Sequence, residues 1–250
     1  MRKHAQHGAD VIAFELAVNR ASRFGVDGDD IWLPEKLEKQ IALVQEKPEA
    51  SIVFTNGMEF DESGDVRPFY SDPEEFCSHD LLEHSLGCCR FYTSSTMVRR
   101  RDLVEAGLFR TDLDRVSDYD MWLRLLMSGK VAEGVWEHLT KYRVHTASIS
   151  DNRTRVNAAM LEVYSSALAR ARDSHHQGII RDSMMRTASC THLAAAPQML
   201  RDGDCSTRRL RMDLWRAWCV YPRSVRPLRY LLMDVLGMRG RVAKHLARRW

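Results

Sequence analysis

Three short strings of this 250-residue chain carry side chains able to do chemistry. The first is Asp27-Gly28-Asp29-Asp30. Carboxylates packed this densely repel one another unless a cation or solvent compensates them. Mg²⁺ and Mn²⁺ prefer such oxygen ligands, and an ion held there can bridge two phosphates and neutralise a departing diphosphate. The same residues also read as a solvated acidic turn, with Asp30 favouring the N-terminus of a helix that begins at Pro34. The second string is Ser117-Asp118-Tyr119-Asp120-Met121-Trp122-Leu123-Arg124. A carboxylate at residue 118, at the start of a helix, can be held rigidly toward a cleft and take a proton from an attacking hydroxyl. N-capping by Ser117 or Asp118 is the structural alternative. Asp120 and Trp122 are the candidates for acceptor contact, Trp122 as a sugar platform or, alternatively, as core. The third string is Tyr142-Arg143-Val144-His145-Thr146-Ala147-Ser148-Ile149-Ser150. The neutral imidazole of His145 is a good ligand for a borderline divalent metal, although a single histidine after a strand more often has no metal.

The elements that must position these groups are legible in outline. Leu37, Ile41 and Val44 recur at helical spacing within 33–45, with Pro34 at the first helical position and Pro48 beyond the end. Ser51 to Thr55 is short and rich in strand formers, which predicts a buried strand. Asp61-Glu62-Ser63-Gly64-Asp65 is a turn between two extended pieces. Tyr92 to Arg99 reads as a β-rich run. Arg101 to Ala106 reads as a short helix with Gly107 just past its end, and Tyr119 to Met127 as a helix ended by Gly129. Two short strands are expected at Val131 to Val135 and Lys141 to Val144. After Asp151 helical patterns take over: 152–172, 178–195, 208–220, 225–236 and 241–249. This texture predicts an α/β domain over 1–150 and an all-α region over 151–250, with the boundary near Ser150.

Composition is that of a folded protein, 44% hydrophobic and 28% charged, which excludes a disordered or fibrous chain. The six cysteines lack CxxC spacing and read as scattered reduced thiols, an expectation that suits the cytoplasm. No stretch reaches the roughly 18–20 apolar residues of a membrane span, and no signal peptide is read at the start. The net charge of +3 is unevenly distributed. Residues 207–250 carry 12 Lys and Arg against 2 Asp, a local balance of +10, and the rest stands at −7. Basic helices with tryptophans suit the surface of an anionic membrane, here a peripheral location at its inner face; a helical bundle with its arginines in water is the alternative. No nucleic-acid reading module is visible.

Taken in order, the segments "DGDDIWLPEKLEKQIALVQEKPEASIVFTNGMEFDESG", "TSSTMVRRRDLVEAGLF", "SDYDMWLRLLMSGKV" and "YRVHTASIS" resemble the central part of family 2 glycosyltransferases of the GT-A fold. The resemblance covers about Asp27 to Ser150. It implies a nucleoside-diphosphate sugar donor, a glycan or lipid-linked glycan acceptor, Mg²⁺ or Mn²⁺, and a single displacement with inversion. By that resemblance Asp27 and Asp29 are the ends of the DxD motif. Asp29 is the direct metal ligand, Asp27 lies near the ribose or metal-bound water, and Asp30 approaches the donor sugar. Asp118 matches the general base, and His145 a histidine that reaches the metal or the diphosphate. Ser117 stands where the family has a glutamate. The family opens with a strand-helix-strand unit that binds the base, whereas 26 residues precede Asp27 here. The expectation is therefore an incomplete GT-A-like domain followed by an all-α tail. A non-catalytic remnant that binds glycans or a partner is the rival expectation.

Overall fold

A computed structural model describes residues 29–76, 80–113, 115–144, 153–194 and 207–235. Asp27, His145 and the helix expected over 241–249 lie outside the described residues. The chain divides into two compact units, one formed by 1–113 with 117–145 and the other by 114–116 with 146–250.

The first unit is built on a mixed sheet. Its strands are β1 (Ile31–Trp32), β2 (Ala50–Asp61), β3 (Gly64–Pro68), β4 (Thr96–Val98) and β5 (Val131–Arg143). The order is β1-β5-β2-β3, with β4 also on β2. β2 and β5 run parallel, and β1, β3 and β4 are antiparallel to their neighbours. β2 is buried along nearly its whole length, as a strand covered on both faces must be. It runs six residues past the expected strand end, to Asp61, because β3 folds back on it through the turn at 61–64. There the Asp61 carboxylate accepts from Ser63 N at 2.7 Å, an Asx turn of the kind Asp-rich loops favour.

The region expected as two strands, 131–135 and 141–144, is one strand with an interruption. Thr55 pairs with Val135, Asn56 with His138, and Gly57 with Thr140. β5 thus carries extra residues opposite a continuous β2, a bulge. Asn56 mends it. Its side chain donates to Tyr70 O at 3.0 Å and accepts from Gly57 N at 2.8 Å and Tyr70 N at 3.2 Å. Leaving those buried backbone groups unpaired would cost about 1–3 kcal/mol each.

Helices α1 (Lys36–Glu46), α2 (Pro73–Phe76), α3 (Leu81–Gly87), α4 (Arg100–Glu105) and α5 (Ser117–Met127) flank the sheet. α1 begins two residues after Pro34, with Glu35 as its N-cap, so Asp30 does not cap it. Gly107 and Gly129 follow α4 and α5 with φ of +88° and +82°, the left-handed conformation expected of C′ glycines. At α4, Leu108 N donates back to Leu103 O and Gly107 N to Val104 O. The main core joins Ile52, Phe54, Phe76, Phe91, Leu103, Met121, Trp122 and Leu125. Fully burying each such large side chain contributes about 1.5–3 kcal/mol.

The second unit is helical: α6 (Arg153–Arg170), α7 (Ser174–Ala194), α8 (Thr207–Val220) and α9 (Arg226–Val235). Asp173 starts α7 by accepting from His176 N at 2.8 Å. Leu193 of α7, Leu210, Leu214 and Ala217 of α8, and Tyr230 of α9 form its core. Arg211 closes on the buried Asp234 at 2.8 Å.

Gly57 is a point of close approach. A Cβ there would lie 2.3 Å from the Phe69 ring and 2.4 Å from Thr140 O. Gly57→Ala is expected to destabilise the protein by at least about 1–3 kcal/mol, the range for overpacking, read as a lower midpoint in urea denaturation.

Candidate active site

The residues between β4 and the preceding loop form the hub of the site. The expected β-rich run over 92–99 is instead a 3₁₀ turn, Thr93–Ser95, leading into the short β4. Thr93 and Ser94 are consecutive, so their Cα atoms are about 3.8 Å apart. Thr93 Oγ1 donates to Asp118 Oδ2 at 2.7 Å. Ser94 Oγ donates to Asp30 Oδ2. Two carboxylates 88 positions apart in the sequence are thereby tied to neighbouring side chains.

Asp30 is also the acceptor for Arg143 N at 3.0 Å, which joins the acidic string to the end of β5. This arrangement, and not helix capping, explains the position of Asp30. Asp29 is half-buried in the turn just before β1. Its neighbour Trp32 donates from Nε1 to Ser94 O at 2.7 Å. The hub is fixed from below by α1. Gln40 Nε2 reaches Ser95 O at 3.0 Å and Val53 O at 2.9 Å, and Gln40 Oε1 accepts from Lys36 Nζ at 2.9 Å. Lys36 lies 4.1 Å from the centre of the Trp32 ring, a cation–π contact that compensates a buried ammonium.

From the other side Tyr92 locks the same turn. Its ring stacks on Phe69 at 3.9 Å and 14°, the ring that Gly57 makes room for. Its hydroxyl donates to Glu59 Oε1 at 2.7 Å. Glu59 is buried and held by Arg67 through Nε at 2.7 Å and Nη2 at 2.9 Å, a bidentate pair. Burial pushes the Tyr92 hydroxyl well above its usual pKa, helped by Glu59. Tyr92 therefore stays a neutral donor at physiological pH.

Asp118 lies in the first turn of α5. Besides Thr93 it accepts from Tyr119 N at 2.7 Å. Burial raises its pKa above the ordinary carboxylate range, and the Thr93 and Tyr119 hydrogen bonds oppose that rise. A raised pKa makes the ionised carboxylate a stronger proton acceptor. Two of a carboxylate's approximately four lone-pair positions are used by these donors.

Asp120 and Trp122 do not face this hub with open surface. Asp120 is 1% exposed and pairs with Arg124 Nε at 2.7 Å. Arg124 in turn donates to Ala106 O and, at 2.7 Å, to Leu108 O. Asp120 thus anchors the loop after α4. Trp122 is 1% exposed and meets Phe91 and Phe109 edge to face. Where acceptor contact was expected, the Asp120 side chain is in an internal ion pair and the Trp122 side chain is in apolar packing.

Among the described residues no group of three or more His, Cys, Asp or Glu side chains could by itself hold a metal ion. Carboxylate oxygen is the donor type a hard cation prefers. Mg²⁺ commonly takes one or two carboxylates and fills its shell with substrate phosphates and water; Asp29 offers such an oxygen, on a turn fixed by its neighbour Asp30.

Comparisons with known proteins relate the chain to glycosyltransferases. No family model matches it. It is 27% identical over 128 residues to the amylovoran biosynthesis glycosyltransferase AmsE of Erwinia amylovora, covering 51% of this chain and 47% of the relative. It is 25% identical over 140 residues to an uncharacterized glycosyltransferase of Haemophilus influenzae, covering 56% and 50%. It is 30% identical over 148 residues to the UDP-Glc:alpha-D-GlcNAc-diphosphoundecaprenol beta-1,3-glucosyltransferase WfgD of Escherichia coli, covering 58% and 54%. The chain spans about half the length of these curated relatives. The class these relatives support is a glycosyltransferase family, and the mixed α/β first unit is compatible with it.

Sequence reading missed Thr93, Ser94, Gln40 and Tyr92. For Gln40 a signal was the polar pair Lys36 and Gln40 at i and i+4 in a helix, both buried.

Two outcomes are expected at Asp118. Thr93→Val removes a donor to the ionised form, so the Asp118 pKa moves further up. Thr93→Ser restores it. Carbon-13 NMR titration, assigned with Asp118→Asn, reads both. Because the folded-state pKa lies above the unfolded value of about 3.9, the stability linked to protonation is full below that value and lost as pH rises through the folded one. Asp118→Asn removes the buried charge; its amide oxygen can accept from Tyr119 N while its NH2 donates to the Thr93 hydroxyl, reversing that bond. Its melting temperature relative to wild type is expected to rise on going from acid to neutral pH.

Proposed function

We propose that the chain carries the leaving-group and acceptor half of a metal-assisted, inverting glycosyltransferase of family 2 with the GT-A fold. It would move a sugar from a nucleoside-diphosphate donor to a hydroxyl of a glycan or lipid-linked glycan. The observation that carries the reading is the anchoring of Asp30 and Asp118 to adjacent residues of one turn, next to Asp29.

In this reading Asp118 takes the proton of the acceptor hydroxyl as that oxygen forms a bond to the anomeric carbon on the face opposite the diphosphate. The bond from the anomeric carbon to the diphosphate oxygen breaks, and the electron pair leaves with the nucleoside diphosphate. Burial of Asp118 favours this proton transfer. Asp30, held by Ser94 and Arg143, fixes the turn and borders the donor sugar. Asp29 and His145 would hold Mg²⁺ or Mn²⁺, which supplies charge neutralisation to the departing diphosphate, with Asp27 near the ribose or metal-bound water. The E. coli relative is named for a diphosphoundecaprenol-linked acceptor, which supports including lipid-linked glycans among the acceptors.

The test is transfer or hydrolysis by the purified chain against a panel of nucleoside-diphosphate sugars, with and without Mn²⁺. Asp118→Asn is expected to lower turnover roughly 10²- to 10⁴-fold and to leave donor binding unchanged. Asp29→Ala is expected to weaken donor binding when metal is present, read by calorimetry. Full activity in both variants sinks the reading. Glycan binding with no turnover under any condition favours a non-catalytic binding module.

A further inference from the structure

The arginines and apolar residues of 207–235 do not all serve one purpose. α8 turns Leu210, Leu214 and Ala217 into the core of its unit. Its opposite face lies at residues 208, 212, 215 and 219, the i, i+4, i+7, i+11 spacing of a single stripe. There Met212 is 43% exposed and Trp215 50% exposed, and Cys219 is also exposed. Arg208 stands at one end of the stripe, and Arg211 and Arg216 stand along its two sides, all exposed. The Trp215 ring lies 5.0 Å from that of Trp218. α9 repeats the pattern. Pro227, Tyr230 and Asp234 are buried, whereas Val225 just before the helix, Leu232 and Val235 are 73%, 59% and 58% exposed, with Arg229 exposed among them.

A helix packed only for its own bundle has no reason to present tryptophan, methionine, valine and leucine outward. Scattered single apolar residues are ordinary on a surface; a stripe at helical spacing with arginine on both sides, as on α8, is not a scatter. Arginine on both sides of an apolar stripe matches a surface that is apolar within and anionic at its edge. Between 207 and 235 there are seven arginines against two aspartates, and both aspartates already face arginines, Asp234 facing Arg211 and Asp213 facing Arg216. No described helix is long and apolar enough to cross a membrane, so the helices would lie on the bilayer and not span it.

We infer that the outward faces of α8 and α9 dock on an anionic phospholipid surface, with Met212, Trp215, Val225 and Leu232 entering the headgroup boundary and Arg208, Arg216 and Arg229 meeting phosphates. The docking does not require the transfer reaction, so it stands or falls separately from the proposed activity.

The test is flotation of the full chain with vesicles of phosphatidylcholine alone or mixed with phosphatidylglycerol. Binding is expected to the mixed vesicles only, and to weaken with salt. Arg208→Gln and Arg216→Gln should each weaken it about fivefold, the effect of one basic residue near such a surface. Trp215→Ala should weaken it while leaving the melting temperature and circular dichroism unchanged. Brominated lipid should quench wild-type fluorescence more than that of Trp215→Phe. No binding, equal binding to neutral vesicles, or binding indifferent to all three sites overturns the inference. So does lipid-free self-association that Trp215→Ala abolishes, since a second copy would then cover the face.

Discussion

The 3₁₀ turn at Thr93–Ser95 is the constraint on which the arrangement of the first unit depends. Nearly every polar atom it offers is used. Its carbonyls accept from Trp32 and Gln40, and its hydroxyls donate to Asp30 and Asp118. Ser95 Oγ closes the turn on Tyr92 O at 2.8 Å. A buried polar network is stabilising when each member is satisfied and costly when one is not. The turn therefore adopts one position, and the two carboxylates inherit it.

Aromatic packing sets the height of that turn above the sheet. Phe69 lies over Gly57, Tyr92 lies over Phe69, and Tyr92 leads directly into Thr93. The bulge in β5 lies beside Gly57, at the step where Asn56 and Gly57 pair with His138 and Thr140. Sheet irregularity, glycine, ring stack and hydroxyl hub form one continuous column. At its end is Asp118, a half-buried carboxylate in the first turn of a helix.

Much of this was readable in the residues. The acidic string and the 117–124 helix start were found from carboxylate density and helical periodicity, and Gly107 and Gly129 from their positions after periodic segments. Three things were not readable, each for a physical reason. Thr93 to Thr96 has the composition of a strand, and its first part is a turn closed on Tyr92 O and held by hydrogen bonds to Asp30, Asp118, Trp32 and Gln40. The break in β5 at 136–139 weakens the alternation that marks a strand, so one strand read as two. Trp122 and Asp120 follow a candidate base on a helix, and sequence spacing alone does not reveal that α5 buries both, one against Phe91 and Phe109, the other against Arg124.

The helix that carries Asp118 also buries two polar atoms, Ser117 Oγ and Trp122 Nε1, that have no hydrogen-bond partner among the described residues. Each such atom forfeits about 1–3 kcal/mol of desolvation energy. The segment next to Asp118 is thus held below the robustness its packing would allow. Replacing either group with an apolar one of similar shape offers a route to a hardier protein, at positions where heat resistance and chemistry can be adjusted separately.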